Sequence, residues 1–149
     1  MKKFIVSIDA GTTSNRSILF DLKGKPIYSS QKEFTQYFPK SGWVEHDPDE
    51  IWKTTIKTLK DVIKKANKLK GKVLSIGITN QRETTVLWDR KTGKTVYRAI
   101  VWQDRRQEEF CKKLRKQNKD TMIFNKTGLL IDSYFSGTKI KWILDNVPK

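Results

Sequence analysis

The chain has 149 residues, of which 36% are hydrophobic and 32% charged, so it can bury a core and is too apolar for intrinsic disorder. No apolar run approaches the roughly 20 residues that cross a bilayer, and the single cysteine, Cys111, excludes an internal disulfide. These features favour a globular protein of a reducing compartment. We expect a cytoplasmic location and no integral membrane segment.

The formal net charge of +15 raises the alternative of a basic module that binds nucleic acid or a phosphate-bearing ligand. The lysines, however, are spread over several segments, notably 59–72 (LKDVIKKANKLKGK) and 111–120 (CKKLRKQNKD). In both segments apolar residues recur at helical spacing and lysines fill the positions between them, which is typical of solvated helix faces. We therefore expect no nucleic-acid partner and keep the basic binding module as the alternative.

The first half of the chain predicts strands followed by one long helix. Three strands are predicted, at residues 4–9 (FIVSID), 16–21 (RSILFD) and 26–34 (PIYSSQKEF). After an irregular connection, Asp47 can act as the N-cap of a helix, with Pro48 at the first helical position and Glu50 completing a capping box. Apolar residues then repeat at helical spacing over residues 51–66, which predicts about five helical turns.

The second half predicts further strands and then helices. A buried strand is predicted at residues 72–80 (KVLSIGITN), a second strand at 84–89 (TTVLWD), and one or two further strands at 95–103 (TVYRAIVWQ). Residues 105–117 predict a helix, and a polar loop precedes a short amphipathic helix whose apolar side chains are Ile140, Ile143 and Leu144. This order indicates an α/β fold with a mixed sheet and flanking helices. No strand follows the last helix, so we expect an incomplete first domain.

A loop rich in hydroxyl groups separates the first two strands. Its candidate ligands are Asp9, Gly11, Thr12, Thr13, Ser14 and Arg16. The glycine lets the backbone turn with positive φ, so that consecutive N–H groups can face a phosphate. The hydroxyls add donors, the arginine adds positive charge, and the aspartate can hold a metal ion through water. The alternative is a hairpin turn whose Thr and Ser side chains cap their own backbone.

A second polar motif, residues 78–85 (ITNQRETT), follows an apolar strand at the end where ligand sites of α/β sheets gather. Arg82 donates several hydrogen bonds and Glu83 accepts several, which together suit a polyol. In an extended chain these neighbours would point to opposite faces, and the alternative is an exposed ion pair worth at most about 1 kcal/mol. Trp102 and Tyr134 could cover the carbon side of a polyol and bond a hydroxyl, or could simply pack.

Five segments together resemble the FGGY family of carbohydrate kinases, over residues 4 to about 145. They are DAGTTSNRSILFD (9–21), PKSGWVEHDPDEIW (39–52), IGITNQRETTVLWD (76–89), AIVWQDRR (99–106) and TGLLIDSYFSGTKIKWIL (127–144). The first is shared with chaperone ATPases and other actin-like proteins, whereas GWVEHDP and TNQRETT are much more specific. The resemblance implies a ribonuclease-H-like fold, with residues 1–149 forming the N-terminal part of the family's N-terminal domain.

The resemblance also implies an activity, which is transfer of the ATP γ-phosphoryl group to glycerol to give glycerol 3-phosphate and ADP. By position, the nucleotide phosphates would be contacted by Thr12, Thr13, Ser14 and Arg16. A Mg²⁺ ion would be held, through water, by Asp9. Glycerol would be bound by Arg82, Glu83, Trp102 and Tyr134.

Members of this family are much longer than 149 residues. In them the aspartate that acts as general base, the adenine pocket and the second domain come later than the segment matched here. We therefore expect no catalytic base within residues 1–149 and no activity from this segment alone. The resemblance implies a homo-oligomer for the longer protein.

Overall fold

The chain passes through two units, which a computed structural model describes over residues 1–148. The first unit comprises Met1–Thr35 and Asp49–Gln81, and the second comprises Gln36–Pro48 and the chain from Arg82 onward. In chain order the elements are β1 (Lys2–Ala10), β2 (Ser14–Asp21), β3 (Pro26–Glu33), β4 (Glu45–His46), α1 (Pro48–Lys68), β5 (Gly71–Thr79), β6 (Ala99–Ile100), α2 (Glu108–Lys116), α3 (Asp120–Thr127) and α4 (Ser136–Asn146). The predicted α/β class is confirmed.

The first unit is built on a mixed sheet with the strand order β3-β2-β1-β5. Strands β1, β2 and β3 form an antiparallel meander, and β5 pairs in parallel with β1 after the α1 crossover. Side chains alternate along β1, so that Ile5 is 39% exposed while its neighbours Phe4 and Val6 are buried. The core of this unit is one apolar cluster, made of Phe4, Val6, Ile8, Leu19, Val62 and Ala66.

Helix α1 begins at Pro48, the residue that the sequence predicts for the first helical position. The carboxylate of Glu50 accepts hydrogen bonds from the backbone N–H and the hydroxyl of Thr35, at 3.2 and 3.1 Å. Ser17 of β2 and Thr58 of α1 share a buried hydrogen bond of 2.9 Å, so the helix joins the sheet through polar as well as apolar contacts. Most lysines of α1 are exposed, as predicted for a solvated face.

Strand β5 is more exposed than its sequence predicts. Its side chains Leu74, Ile76 and Ile78 are 49%, 43% and 74% exposed. An apolar run of this kind is typical of a parallel strand that is covered on both faces. Within residues 1–148, however, β5 is the outermost strand of the sheet and pairs with β1 alone, so the prediction of a buried strand is wrong for this structure.

The second unit contains far less strand than predicted. Residues 84–89 form only isolated bridges, at Thr85 and Trp88, and residues 95–103 contribute the two-residue strand β6, which pairs with β4. The Asp89 carboxylate accepts hydrogen bonds from the backbone of Lys91 and of Thr92, which closes a tight turn. Trp88 and Val96 are 62% and 45% exposed, so these two apolar residues lack the burial that would extend the ladder.

Arg106 is the buried centre of the second unit. Its guanidinium lies 3.7 Å from the ring centroid of Trp43 and 4.6 Å from that of Trp142. It bonds Asp104 through two nitrogens, at 2.8 and 2.9 Å, and Glu45 at 2.8 Å. Burial alone would lower the pKa of Arg106, but the hydrogen bonds to the two carboxylates outweigh it and raise that pKa. Arg106 therefore contacts residues from three of the five segments that resemble the FGGY family, namely 39–52, 99–106 and 127–144.

The helices of the second unit depart from prediction in two places. Helix α3 was not predicted, because none of its residues is buried and its apolar side chains follow no helical stripe; it ends at Gly128, whose φ is 71°. In α4 the buried side chains are Lys139 and Ile143, whereas Ile140 and Leu144 are 39% and 65% exposed. Among residues 1–148 no helix is both long and apolar enough to span a membrane.

Candidate functional site

The loop between β1 and β2 is a tight turn closed by a hydrogen bond of 3.0 Å from the Gly11 N–H to the Ser14 carbonyl oxygen. Gly11 does not adopt positive φ, contrary to prediction. Glycine is needed for another reason, because an added Cβ would lie 2.9 Å from that same carbonyl oxygen. Thr13 is exposed at the tip, and its hydroxyl makes no hydrogen bond within residues 1–148.

The two charged residues of this loop form an ion pair. Asp9 and Arg16 are partners across the β1–β2 ladder, and Arg16 Nη2 lies 3.0 Å from Asp9 Oδ2. Their side chains are 39% and 46% exposed, so both remain open to solvent. The arginine thus holds the carboxylate at the strand end while its other nitrogens stay available to an anion.

Asp9 suits a hydrated Mg²⁺ ion better than a dehydrated one. Mg²⁺ in proteins keeps several waters and is bound by one or two carboxylates together with substrate phosphates. Among the described residues there is no group of three or more His, Cys, Asp or Glu that could enclose a metal. A single half-exposed carboxylate beside a candidate phosphate-binding turn fits the first kind of site and not an all-protein cage.

In the second unit, Glu83 is held in an uncommon conformation. Its φ is 65°, in the left-handed region, so residues 82–83 form a turn rather than the extended chain that the sequence suggested. Glu83 Oε2 accepts hydrogen bonds from the backbone N–H and the hydroxyl of Ser136, at 2.8 and 2.7 Å. Its other oxygen, Oε1, accepts no hydrogen bond within residues 1–148.

Arg82 and Glu83 do not form the exposed ion pair that was the alternative. The salt bridges of the described residues include neither side chain, and Arg82 is exposed with no hydrogen-bond partner among them. The glutamate instead binds the first turn of α4. A donor and an acceptor with open hydrogen-bonding capacity therefore lie on adjacent residues.

The two predicted aromatic residues are in contact. The ring centroids of Trp102 and Tyr134 are 6.0 Å apart, and the rings meet edge to face at 70°. The Trp102 backbone N–H bonds the hydroxyl of Thr84, the residue after Glu83, at 3.3 Å. Tyr134 lies two residues before Ser136, which holds Glu83. These links bring Glu83, Trp102 and Tyr134 together.

Sequence reasoning did not identify Ser136, although it anchors Glu83. Serine is a frequent residue at helix starts, and the string SGTKIKWIL places one directly before an amphipathic helix. That signal points to a helix start. It carries no indication that the serine would bind a glutamate 53 residues earlier in the chain.

Comparison with known proteins supports the resemblance. The sequence model of the FGGY family of carbohydrate kinases, N-terminal domain, matches residues 4–149. Curated glycerol kinases from Oceanobacillus iheyensis and Malacoplasma penetrans are 59% and 60% identical over 98% and 99% of this chain, and over 29% of their own length. The crystal structure of Plasmodium falciparum glycerol kinase with ADP has a TM-score of 0.91 at 39% identity, covering 99% of this chain and 29% of that one.

Mixed sheet, helices and polar loops thus define a carbohydrate-kinase type of fold, and the ribonuclease-H-like class that the resemblance implied is confirmed. The chain belongs to the FGGY family of carbohydrate kinases. It spans 29% of the length of the curated relatives it matches. The alternative of a standalone basic binding module is not supported, because the matches are to kinases and cover nearly the whole chain.

Proposed function

We propose that this chain contributes the glycerol-binding residues and a phosphate-binding turn to an ATP-dependent glycerol kinase. The observation that carries the proposal is the fixed Glu83 carboxylate, next to the exposed guanidinium of Arg82. One carboxylate oxygen is bound to Ser136, and the other has no hydrogen-bond donor within residues 1–148. Identity of 59% and 60% to curated glycerol kinases supports glycerol as the polyol.

At the polyol end, Glu83 Oε1 would accept a hydrogen bond from one glycerol hydroxyl, and Arg82 would donate to hydroxyl oxygens. Tyr134 would donate or accept through its phenol group, and Trp102 would lie against the carbon chain. Each hydroxyl of a polyol both donates and accepts, so a site with fixed partners of both kinds distinguishes it from an alcohol with fewer hydroxyls.

At the nucleotide end, Thr12, Thr13, Ser14 and Arg16 would contact the ATP phosphates. The hydroxyls and the guanidinium supply neutral and charged donors to phosphate oxygens. Mg²⁺, when bound, neutralises phosphate charge, and Asp9 would hold it through water. Phosphoryl transfer depends mainly on positioning and charge neutralisation, which these donors provide.

We also propose that residues 1–149 are the N-terminal part of the family's N-terminal domain, and that the general base and adenine pocket lie outside them. The enzyme would be a cytoplasmic homo-oligomer. Native mass spectrometry of the gene product tests both the size and the assembly: a subunit of 17.4 kDa, the mass of this chain, would contradict the first statement, and a monomer the second.

The activity has a direct test in the native gene product. We expect ATP-dependent formation of glycerol 3-phosphate, followed by ³¹P NMR or a coupled assay. Analogues that lack one hydroxyl, such as 1,2-propanediol, should lose about 10- to 150-fold in kcat/KM, because a charged partner left unpaired costs about 1.5–3 kcal/mol. Equal turnover of glycerol and the diol would contradict a hydrogen-bonded polyol site.

Arg16→Ala tests the nucleotide end. We expect the KM for ATP to rise about tenfold or more, because a charge-assisted phosphate contact is worth about 1.5–3 kcal/mol, while the KM for glycerol stays unchanged. Lys23→Ala, in the turn after β2, is the matched control for loss of one positive charge. If both variants have the wild-type KM for ATP, the guanidinium serves only its ion pair with Asp9.

A further inference from the structure

Lys139 is a fully buried cation of the second unit that the proposed chemistry does not use. It lies in the first turns of α4, and its side chain has no exposed surface. A buried ammonium is costly unless its donors are satisfied, so its surroundings need an explanation.

The ammonium of Lys139 is saturated by backbone oxygens. Its Nζ donates to the carbonyl oxygens of Ser133 at 2.8 Å and Phe135 at 3.3 Å, and also to that of Tyr134. An ammonium has three N–H donors, and here three consecutive carbonyl groups accept them. The lysine therefore fixes the path of the backbone over residues 133–135.

Residues 133–135 include Tyr134 of the candidate polyol site and directly precede Ser136, which binds Glu83. Tyr134 presents its ring to Trp102, and Ser136, the next residue after the bonded segment, holds Glu83 Oε2 through its N–H and hydroxyl. Among the described residues, no other side-chain atom donates hydrogen bonds to the carbonyl oxygens of all three residues 133–135. Displacing residues 133–135 would move the phenol and the glutamate together.

The charge of Lys139 persists at neutral pH. Burial lowers the pKa of this ammonium to about 8, against the opposing effect of Glu83, Asp104, Asp132 and Cys111, which raise it. At pH 7 the group is therefore mainly protonated and keeps all three donors. The carboxylates that face it are Asp104, which precedes α2, Asp132, which follows α3, and Glu83 of the candidate polyol site.

We propose that Lys139 is a positioning residue of the polyol site, whose ammonium gathers the carbonyl oxygens of residues 133–135 and so places Tyr134 and the Ser136 donors that hold Glu83. This inference rests on the proposed function for its kinetic consequence. Its structural consequence is independent of activity, because the protection of the Ser136 amide does not require glycerol to be the substrate.

The experiment compares Lys139→Met with Lys141→Met in the native gene product. Both variants remove one ammonium from α4, but Lys141 is exposed, where it pairs with Asp145 on the same helix and lies 5.4 Å from the ring centroid of Phe110. Lys139→Gln, which keeps two N–H donors without the charge, serves as the partial rescue. Steady-state kinetics with glycerol and with ATP varied, and native-state hydrogen exchange at Ser136, are measured for all three variants.

For Lys139→Met we expect the KM for glycerol to rise about tenfold or more, the factor that corresponds to 1.4 kcal/mol, with the KM for ATP unchanged. The Ser136 amide should lose its protection. Lys139→Gln should fall between this variant and the wild type, and Lys141→Met should match the wild type. A parallel rise in both KM values, or an unchanged KM for glycerol, would overturn the proposal.

The wild type gives a test that needs no variant. If the Lys139 ammonium holds residues 133–135 in position before glycerol binds, the Ser136 amide of the unliganded protein exchanges slowly. Its exchange should then resemble that of a stable helix rather than that of an exposed loop. Fast exchange there would overturn the proposal even if Lys139→Met failed to fold. Absence of glycerol phosphorylation in the wild type would instead reject the proposed function and leave the exchange result standing.

Discussion

Replacing Glu83 with alanine in the native gene product is expected to raise the KM for glycerol about 10- to 150-fold. The open oxygen Oε1 would no longer accept a glycerol hydroxyl, and a hydrogen bond to a charged group is worth about 1.5–3 kcal/mol. The KM for ATP should not change, because the proposed phosphate-binding turn belongs to a separate hairpin, that of β1 and β2. Kinetics with each substrate varied at saturation of the other measure both effects.

The same substitution should also lower stability, because Glu83 binds the N–H and hydroxyl of Ser136 at the start of α4. Loss of a helix N-terminal partner costs about 1 kcal/mol. Glu83→Gly separates backbone strain from the missing carboxylate, since glycine accepts the φ of 65°. A thermal melt shows the stability loss. If alanine lowers the melting temperature but leaves the KM for glycerol unaltered, Glu83 serves the helix alone.

Arg106→Met is expected to destabilise the protein by about 3–5 kcal/mol, the largest loss of stability among these variants. The substitution leaves Glu45 and Asp104 buried without their shared counter-charge, since the Arg106 side chain is fully buried between them. Arg106→Lys should recover little, because an ammonium cannot reproduce the two-nitrogen contact with Asp104 or stack on Trp43.

Arg105 provides the matched control one residue away. Its side chain is 58% exposed and pairs with the 42% exposed Asp132, so Arg105→Met should cost less than about 1 kcal/mol. Guanidinium unfolding followed by tryptophan fluorescence compares the two, because Trp43 and Trp142 both contact Arg106. Equal losses for the two variants would show that the buried network adds nothing beyond a surface ion pair.

Short-range patterns predicted the first unit well. The strand over residues 4–9, the turn at Gly11 and the helix start at Pro48 are set by neighbours a few residues apart, and each lies where its pattern indicates, although Gly11 does not take the predicted positive φ. The exposure of β5 was not predictable from its apolar composition. Composition does not indicate how many strands pair with β5, and among the described residues only β1 does.

The structure links three of the predicted polyol residues, Glu83, Trp102 and Tyr134, but the geometry of these links was not predicted. Arg82, Glu83, Trp102 and Tyr134 came from motifs and resemblance, but nothing local indicates that Glu83 takes a left-handed conformation or binds Ser136. Lys139 was overlooked because the predicted apolar face of α4 included the exposed Ile140 and Leu144 beside the buried Ile143. A lysine on a buried helix face is rare, so a rule based on polarity places it in solvent.

The interleaving of the two units bears on the order in which the chain acquires its structure. Glu45 emerges from the ribosome 61 residues before Arg106, its buried partner, and must stay hydrated until that arginine arrives. The meander of β1, β2 and β3 needs no such delay, because its partners are near neighbours in sequence. A nascent chain stalled at Gln81 would hold the strands β3-β2-β1-β5 but would carry residues 36–48 without the chain from Arg82 onward, with which they form the second unit. Chaperone contact is therefore expected to concentrate on residues 36–48 during translation.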